Sequence, residues 1–144
     1  MKTARFFLLL WLPLLQGCGF VYERHLTGNY YLIAVDSKED MDVCYHQQND
    51  DDAPYTGITG ASVYAVGYDN DFILVKAYRI LKDSLGISLL RYDKNTTEYY
   101  IIPVNNSQEA WEAQDNKFGA FGKKDFEFKR KELGVSDDIT FKRL

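Results

Sequence analysis

Only two cysteines, Cys18 and Cys44, and two histidines, His25 and His46, occur among the 144 residues of this chain. Two thiols cannot build the disulfide framework of a small secreted domain. The histidines lack the i, i+4 spacing of a helical zinc site, so no metal ligand set is expected. Basic side chains are outnumbered, 17 Lys and Arg against 21 Asp and Glu. Neutralising phosphates takes clustered Lys and Arg, so nucleic acid is not an expected partner. The one basic concentration, Lys123-Lys124 with Lys129-Arg130-Lys131, is interleaved with Asp125, Glu127 and Glu132 and reads as a solvated helix face. The apolar run from Phe6 to Leu15 falls well short of the ~20 residues that cross a bilayer as a helix.

Catalytic patterns are missing too. Gly57-Ile58-Thr59-Gly60 and Gly119-Ala120-Phe121-Gly122 fit neither phosphate-binding glycine pattern. No serine sits in a G-x-S-x-G elbow. Cys44 and His46, two residues apart in an expected strand, share a face, but no third group or oxyanion donor accompanies them. Asn49 and the run Asp50-Asp51-Asp52 lack the alternation, the glycine and the closing glutamate of an EF-hand loop. No catalytic residue, metal site or cofactor is assigned.

What is present begins with MKTARFFLLLWLPLLQGC. Lys2 and Arg5 precede a short apolar core, the layout of a cleavable signal segment. Leu15-Gln16-Gly17-Cys18 resembles the lipobox of bacterial lipoproteins: an aliphatic residue, a tolerant position, a small residue, then cysteine. Gln16 is a less common occupant of the tolerant position. The resemblance implies cleavage between Gly17 and Cys18, a diacylglycerol on the Cys18 thiol, and fatty acyl chains such as palmitate holding the protein on a membrane of the cell envelope. One chain holds only marginally, but two or three on one residue make a stable anchor. Gly19, not aspartate, follows the cysteine, which implies the outer membrane, facing the periplasm, where the organism has one. The other reading is a secreted chain in which Cys18 pairs with Cys44. Cleavage leaves 127 residues with fifteen basic and twenty-one acidic side chains, a net charge of −6, enough chain for one compact domain.

Residues 18–26 read as the lipidated cysteine and a short tether, and 27–144 as a single domain. Eleven tyrosines and nine phenylalanines favour strands. Asn29–Val35 and Met41–His46 are expected to form a hairpin. Ala61–Tyr68 and Asp71–Ile80 form a central one around Asp69-Asn70. A third is expected from Ile87–Tyr92 and Tyr99–Val104, turning at Asp93–Thr97, with Pro103 at a strand end. Gln47–Gly60 is a long loop. Ser107–Gln114 reads as a short helix capped by Ser107, and Lys124–Leu133 as a helix stopped by Gly134. Ile139–Phe141 is expected to close the chain as a small strand. The sum is one α+β domain: a mostly antiparallel sheet of about five or six strands under one or two C-terminal helices. This body resembles small bacterial envelope lipoproteins known only as domains of unknown function, a likeness that brings no activity with it.

The expected role is a non-enzymatic, membrane-anchored module that binds another envelope protein, with a small hydrolase or a ligand- or cation-binding lipoprotein as alternatives. The candidate interaction loop is Asp50, Asp51, Asp52 and Tyr55. Most other tyrosines are expected to pack within strands, leaving Tyr55 as the exposed ring of that loop.

Overall fold

The computed structural model describes residues 19–47, 54–60 and 62–144. They form an α+β domain of two mostly antiparallel sheets and two helices. The first sheet is four-stranded: β1 (Tyr22–Thr27), β2 (Tyr30–Ala34), β3 (Asp42–Tyr45) and the two-residue β4 (Thr56–Gly57), in chain order. The second is five-stranded, in the order β8-β7-β6-β5-β9, from β5 (Val63–Tyr68), β6 (Phe72–Lys82), β7 (Ser88–Pro103), β8 (Phe118–Phe121) and β9 (Lys142–Arg143). The strands expected in one sheet thus divide between two, which pack face to face.

Alternation decides which side chains meet between the sheets, because successive strand residues point to opposite faces. Tyr30, Leu32 and Ala34 of β2 and Val43 and Tyr45 of β3 point inward. They pack on Val66, Ile73, Val75 and Ile102 of the second sheet. That sheet's other face carries Leu74 and Ile101, and α2 (Lys123–Glu132) lays Phe126 over them, with Val135 and Ile139 from the following segment. Gly122 caps α2, Asp125 lies in its first turn, and Lys129, Arg130 and Lys131 lie in its last, which complements the helix dipole. Gly134 follows with φ +67°, a conformation glycine adopts without strain. Arg130 is not part of a solvated stripe: its guanidinium donates to the carbonyls of Ser136 and Ile139 and pins the chain after the helix.

Four expectations change. Tyr22–Leu26 is no tether; it belongs to β1, paired with β2 from Tyr22↔Ala34 to Thr27↔Tyr30. Asp93–Thr97 does not reverse the chain. β7 runs through it as one strand, and the surplus residues bulge out between the pairs Arg79↔Asp93 and Tyr78↔Thr97. Asp93 folds this bulge by accepting from Asn95 N at 3.0 Å and Thr96 Oγ1 at 2.6 Å. The reversal lies earlier, at Asp83–Ile87, so β6 and β7 continue past the body of the sheet as a two-stranded arm. Finally, the terminal strand is Lys142–Arg143, paired with Val66 and Ala65, not Ile139–Phe141. The helix expected from Ser107 is shorter: α1 spans Ala110–Asp115 and is entered through Glu109.

The two ends of the sandwich differ. At one, the described chain enters: Val21 N donates to Ala34 O, and a single 3-10 turn at Lys38–Asp40 follows β2. That turn meets the arm, because Glu39 O accepts from Ser62 N, Ser62 O accepts from Tyr78 N, and Lys94 Nζ donates to Glu39. The other end carries the Gly28 turn and the residues after Pro103. There Tyr45 Oη donates to Gln108 O at 2.9 Å and accepts from Asn29 Nδ2 at 3.2 Å. Tyr30 Oη accepts from Gln108 Nε2 at 2.7 Å, and Asn106 Oδ1 accepts from Asn29 N. This buried network ties the two sheets together.

Candidate functional site

The face of the first sheet that points away from the core is not bare. The same alternation that sends Tyr30, Leu32 and Val43 inward sends Tyr31, Ile33, Asp42 and Cys44 outward. The pairs Tyr31↔Cys44 and Ile33↔Asp42 set them side by side. The segment before β4 then brings Tyr55 across this face. Its ring centroid lies 4.8 Å from His46, 5.3 Å from Tyr31 and 5.3 Å from Phe20, the last edge-on. His25 joins the cluster, 5.0 Å from Tyr31. Next to this aromatic arch is a groove of about 570 Å³, lined by Phe20, Ile33, Val35, Cys44 and Tyr55 together with the carboxylates Asp40 and Asp42.

Three of the groove's ionisable groups, Cys44, Asp42 and Tyr55, are held toward their neutral forms. Burial pushes the Cys44 thiol up to about 12, and the nearby Asp42 adds to the effect. A thiol so placed is not a ready nucleophile, since the thiolate is the reactive form. Sharing a face with His46, as the strand alternation implies, therefore does not assemble a catalytic pair. Burial also raises Asp42 above the usual carboxylate range, although Thr59 opposes the shift by donating from Oγ1 at 2.6 Å and from N at 3.0 Å. Tyr55 is pushed up to about 12, mostly by desolvation and then by its 3.0 Å bond to Glu23. A Cβ on Gly57 would lie 2.4 Å from Asp42 Oδ2, so a larger residue there would displace that carboxylate.

Of the residues singled out in the sequence, Gly17, Cys18, Asp50, Asp51 and Asp52 lie outside the described residues. Tyr55 is half-buried and bonded, not an exposed loop ring. Tyr30, Tyr45 and Tyr100 are core residues, and Tyr64 and Tyr78 stack 4.3 Å apart. Phe20, Ile33 and Val35 were not anticipated, because their neighbourhood exists only once β1 pairs with β2. Among the described residues no cluster of His, Cys, Asp and Glu could hold a metal ion, and no helix is long and apolar enough to cross a membrane.

Residues 27–144 match the model of a family described as protein of unknown function (DUF3997). No curated protein and no solved structure matches.

Proposed function

We propose that this chain, which belongs to the DUF3997 family, is an envelope lipoprotein: one α+β domain held on a membrane by lipid on Cys18 and acting as a non-enzymatic binding module. The run from Lys2 to Cys18 supports the anchor, and the groove on the first sheet supports the binding role. The observation that carries the binding role is the groove's chemistry. Aromatic and aliphatic side chains make up most of its lining beside two carboxylates, Asp40 and Asp42, and burial pushes Asp42 and Cys44 toward neutrality. Such a surface gives up water at low cost and gains from apolar burial, as the centres of protein interfaces do. Its proposed ligand is an apolar segment of another envelope protein.

Two experiments test the two parts. A photo-crosslinking side chain placed at the exposed Val35, beside the groove, should give one reproducible adduct in intact envelopes, lost on Phe20→Ser. Absence of any reproducible adduct would overturn the binding role. A Cys18→Ala chain should accumulate uncleaved and without lipid. If it is processed and retained on membranes like the parent, the anchor is wrong.

A further inference from the structure

Among the described residues, the arm made by β6 and β7 beyond Tyr78 carries four exposed large aliphatic side chains. Leu85 is 82% exposed and Ile87 60%, with Leu81 and Leu89 exposed beside them. Ile87 ends the turn and Leu89 follows two residues on, in β7. Packed monomers seldom leave a run of large aliphatic side chains in water without a surface to receive it.

We propose that this arm is a second membrane contact, seating the domain on an anionic bilayer surface beside the anchor; the inference rests on the lipid-anchor reading above. Three observations carry it. The first is position. The chain enters at Gly19–Tyr22, at the end of the sandwich where the Lys38–Asp40 turn meets the arm through Ser62 and Lys94. Lipid on Cys18 would therefore draw the arm's end of the domain toward the membrane. The second is charge. Residues 79–94 carry Arg79, Lys82, Arg91 and Lys94 against Asp83 and Asp93, a net +2 on a domain that is otherwise acidic. Arg79 and Lys94 are paired with Glu98 and Glu39, leaving Lys82 and Arg91 flanking the apolar tip to meet lipid phosphates.

The third is the turn. Asp83 Oδ1 accepts from Leu85 N and Ile87 N, both at 2.8 Å, Asp83 O accepts from Gly86 N, and Asp83 N donates to Ile87 O. The turn thus ties up several of its own backbone donors, which lowers the cost of bringing it against a low-dielectric surface. Gly86, at φ +79°, makes the tight geometry available. The unpaired edges of a two-stranded arm limit it to the interface and keep it out of the hydrocarbon core.

The test uses the full chain, extracted from membranes and reconstituted into vesicles of equal parts phosphatidylethanolamine and phosphatidylglycerol, with or without brominated acyl chains. Leu85→Trp is made in a Trp111→Phe background, and the background alone is the blank. Brominated lipid should quench the new indole about twofold or more. Neutralising Lys82 and Arg91 with glutamine should lower the ratio of seated to lifted arms roughly fivefold for each charge lost. Unquenched emission overturns the arm reading. A crosslink between Leu85→Cys arms of two copies, without quenching, also overturns it, by assigning the arm to a second copy. Mass spectrometry reads the anchor separately: a lipid-free Cys18 refutes the anchor, and quenching on mixing that protein with vesicles then decides the arm by itself.

Discussion

Replacing Tyr45 with phenylalanine removes one hydroxyl from the network at the far end of the sandwich and leaves the ring in place. Tyr45 has no exposed surface, and its ring packs edge-on against Tyr30 at 5.1 Å. The volume is kept, so no cavity penalty arises. What changes is hydrogen bonding. Gln108 O loses the donor at 2.9 Å, and Asn29 Nδ2 keeps only Asn106 O at 3.2 Å. Leaving a buried acceptor unpaired costs about 1–3 kcal/mol, so Tyr45→Phe should destabilise by about 2 kcal/mol. At roughly 4 °C per kcal/mol for a domain of this size, the melting temperature falls by about 8 °C. Urea unfolding should show a lower midpoint with an unchanged slope. Tyr31→Phe, on the outer face, is the control and should stay within about 0.5 kcal/mol of the parent. The double variant with Tyr30→Phe should be non-additive, because both hydroxyls bond to Gln108. A Tyr45→Phe chain as stable as the control would refute the claim that this network joins the sheets.

Gly28→Ala should be far worse than an ordinary surface change: φ is +54°, and a Cβ would lie 1.9 Å from Asn106 Oδ1, so a loss of about 2 kcal/mol or more is expected in thermal melts. Phe126→Ala empties the space between α2 and the second sheet, where the ring is fully buried, and should cost about 3–5 kcal/mol in urea unfolding. Burial lifts the folded-state pKa of Asp42 above its unfolded value. Between those two values the folded chain holds a proton that the unfolded chain has lost, so stability falls as pH rises through that window. Asp42→Asn should remove this slope while keeping an acceptor for Thr59; a variant with the parent's pH profile would show that Asp42 is not its source.

Much of the domain was legible because local chemistry and global fold agree. The β2–β3 and β5–β6 hairpins, the end of β7 at Pro103 and α2 with Gly134 all carry their own punctuation. The third hairpin misled for a physical reason. Asp93 does form a local turn with Asn95 and Thr96, but the β6 ladder resumes on both sides and absorbs it as a bulge. Asp83-Ser84-Leu85-Gly86, with apolar neighbours, gave a weaker signal for the true reversal. β1 was missed because Tyr22-Glu23-Arg24-His25 is too polar to read as a strand; its pairing with β2 supplies what its composition does not. For the site, alternation placed Cys44 and His46 on one face. Nothing in sequence could bring Phe20 and Tyr55 together, since that contact crosses the sheet.

β7 spans sixteen residues, three times an average strand, and reaches from the Leu85 turn to Pro103, whose carbonyl meets the buried Tyr30 hydroxyl. Mechanically it is a beam with one joint. The joint is the Asp93–Thr97 irregularity, where the ladder to β6 is interrupted. Across it lie two ion pairs, Lys94–Glu39 and Arg79–Glu98, which salt weakens, and the 2.7 Å bond between Tyr64 Oη and Thr97 Oγ1. Bending forces on the tip should therefore concentrate at this joint, where the ladder offers least resistance. On the proposed membrane seat the arm would flex there first, ahead of the packed sandwich behind it.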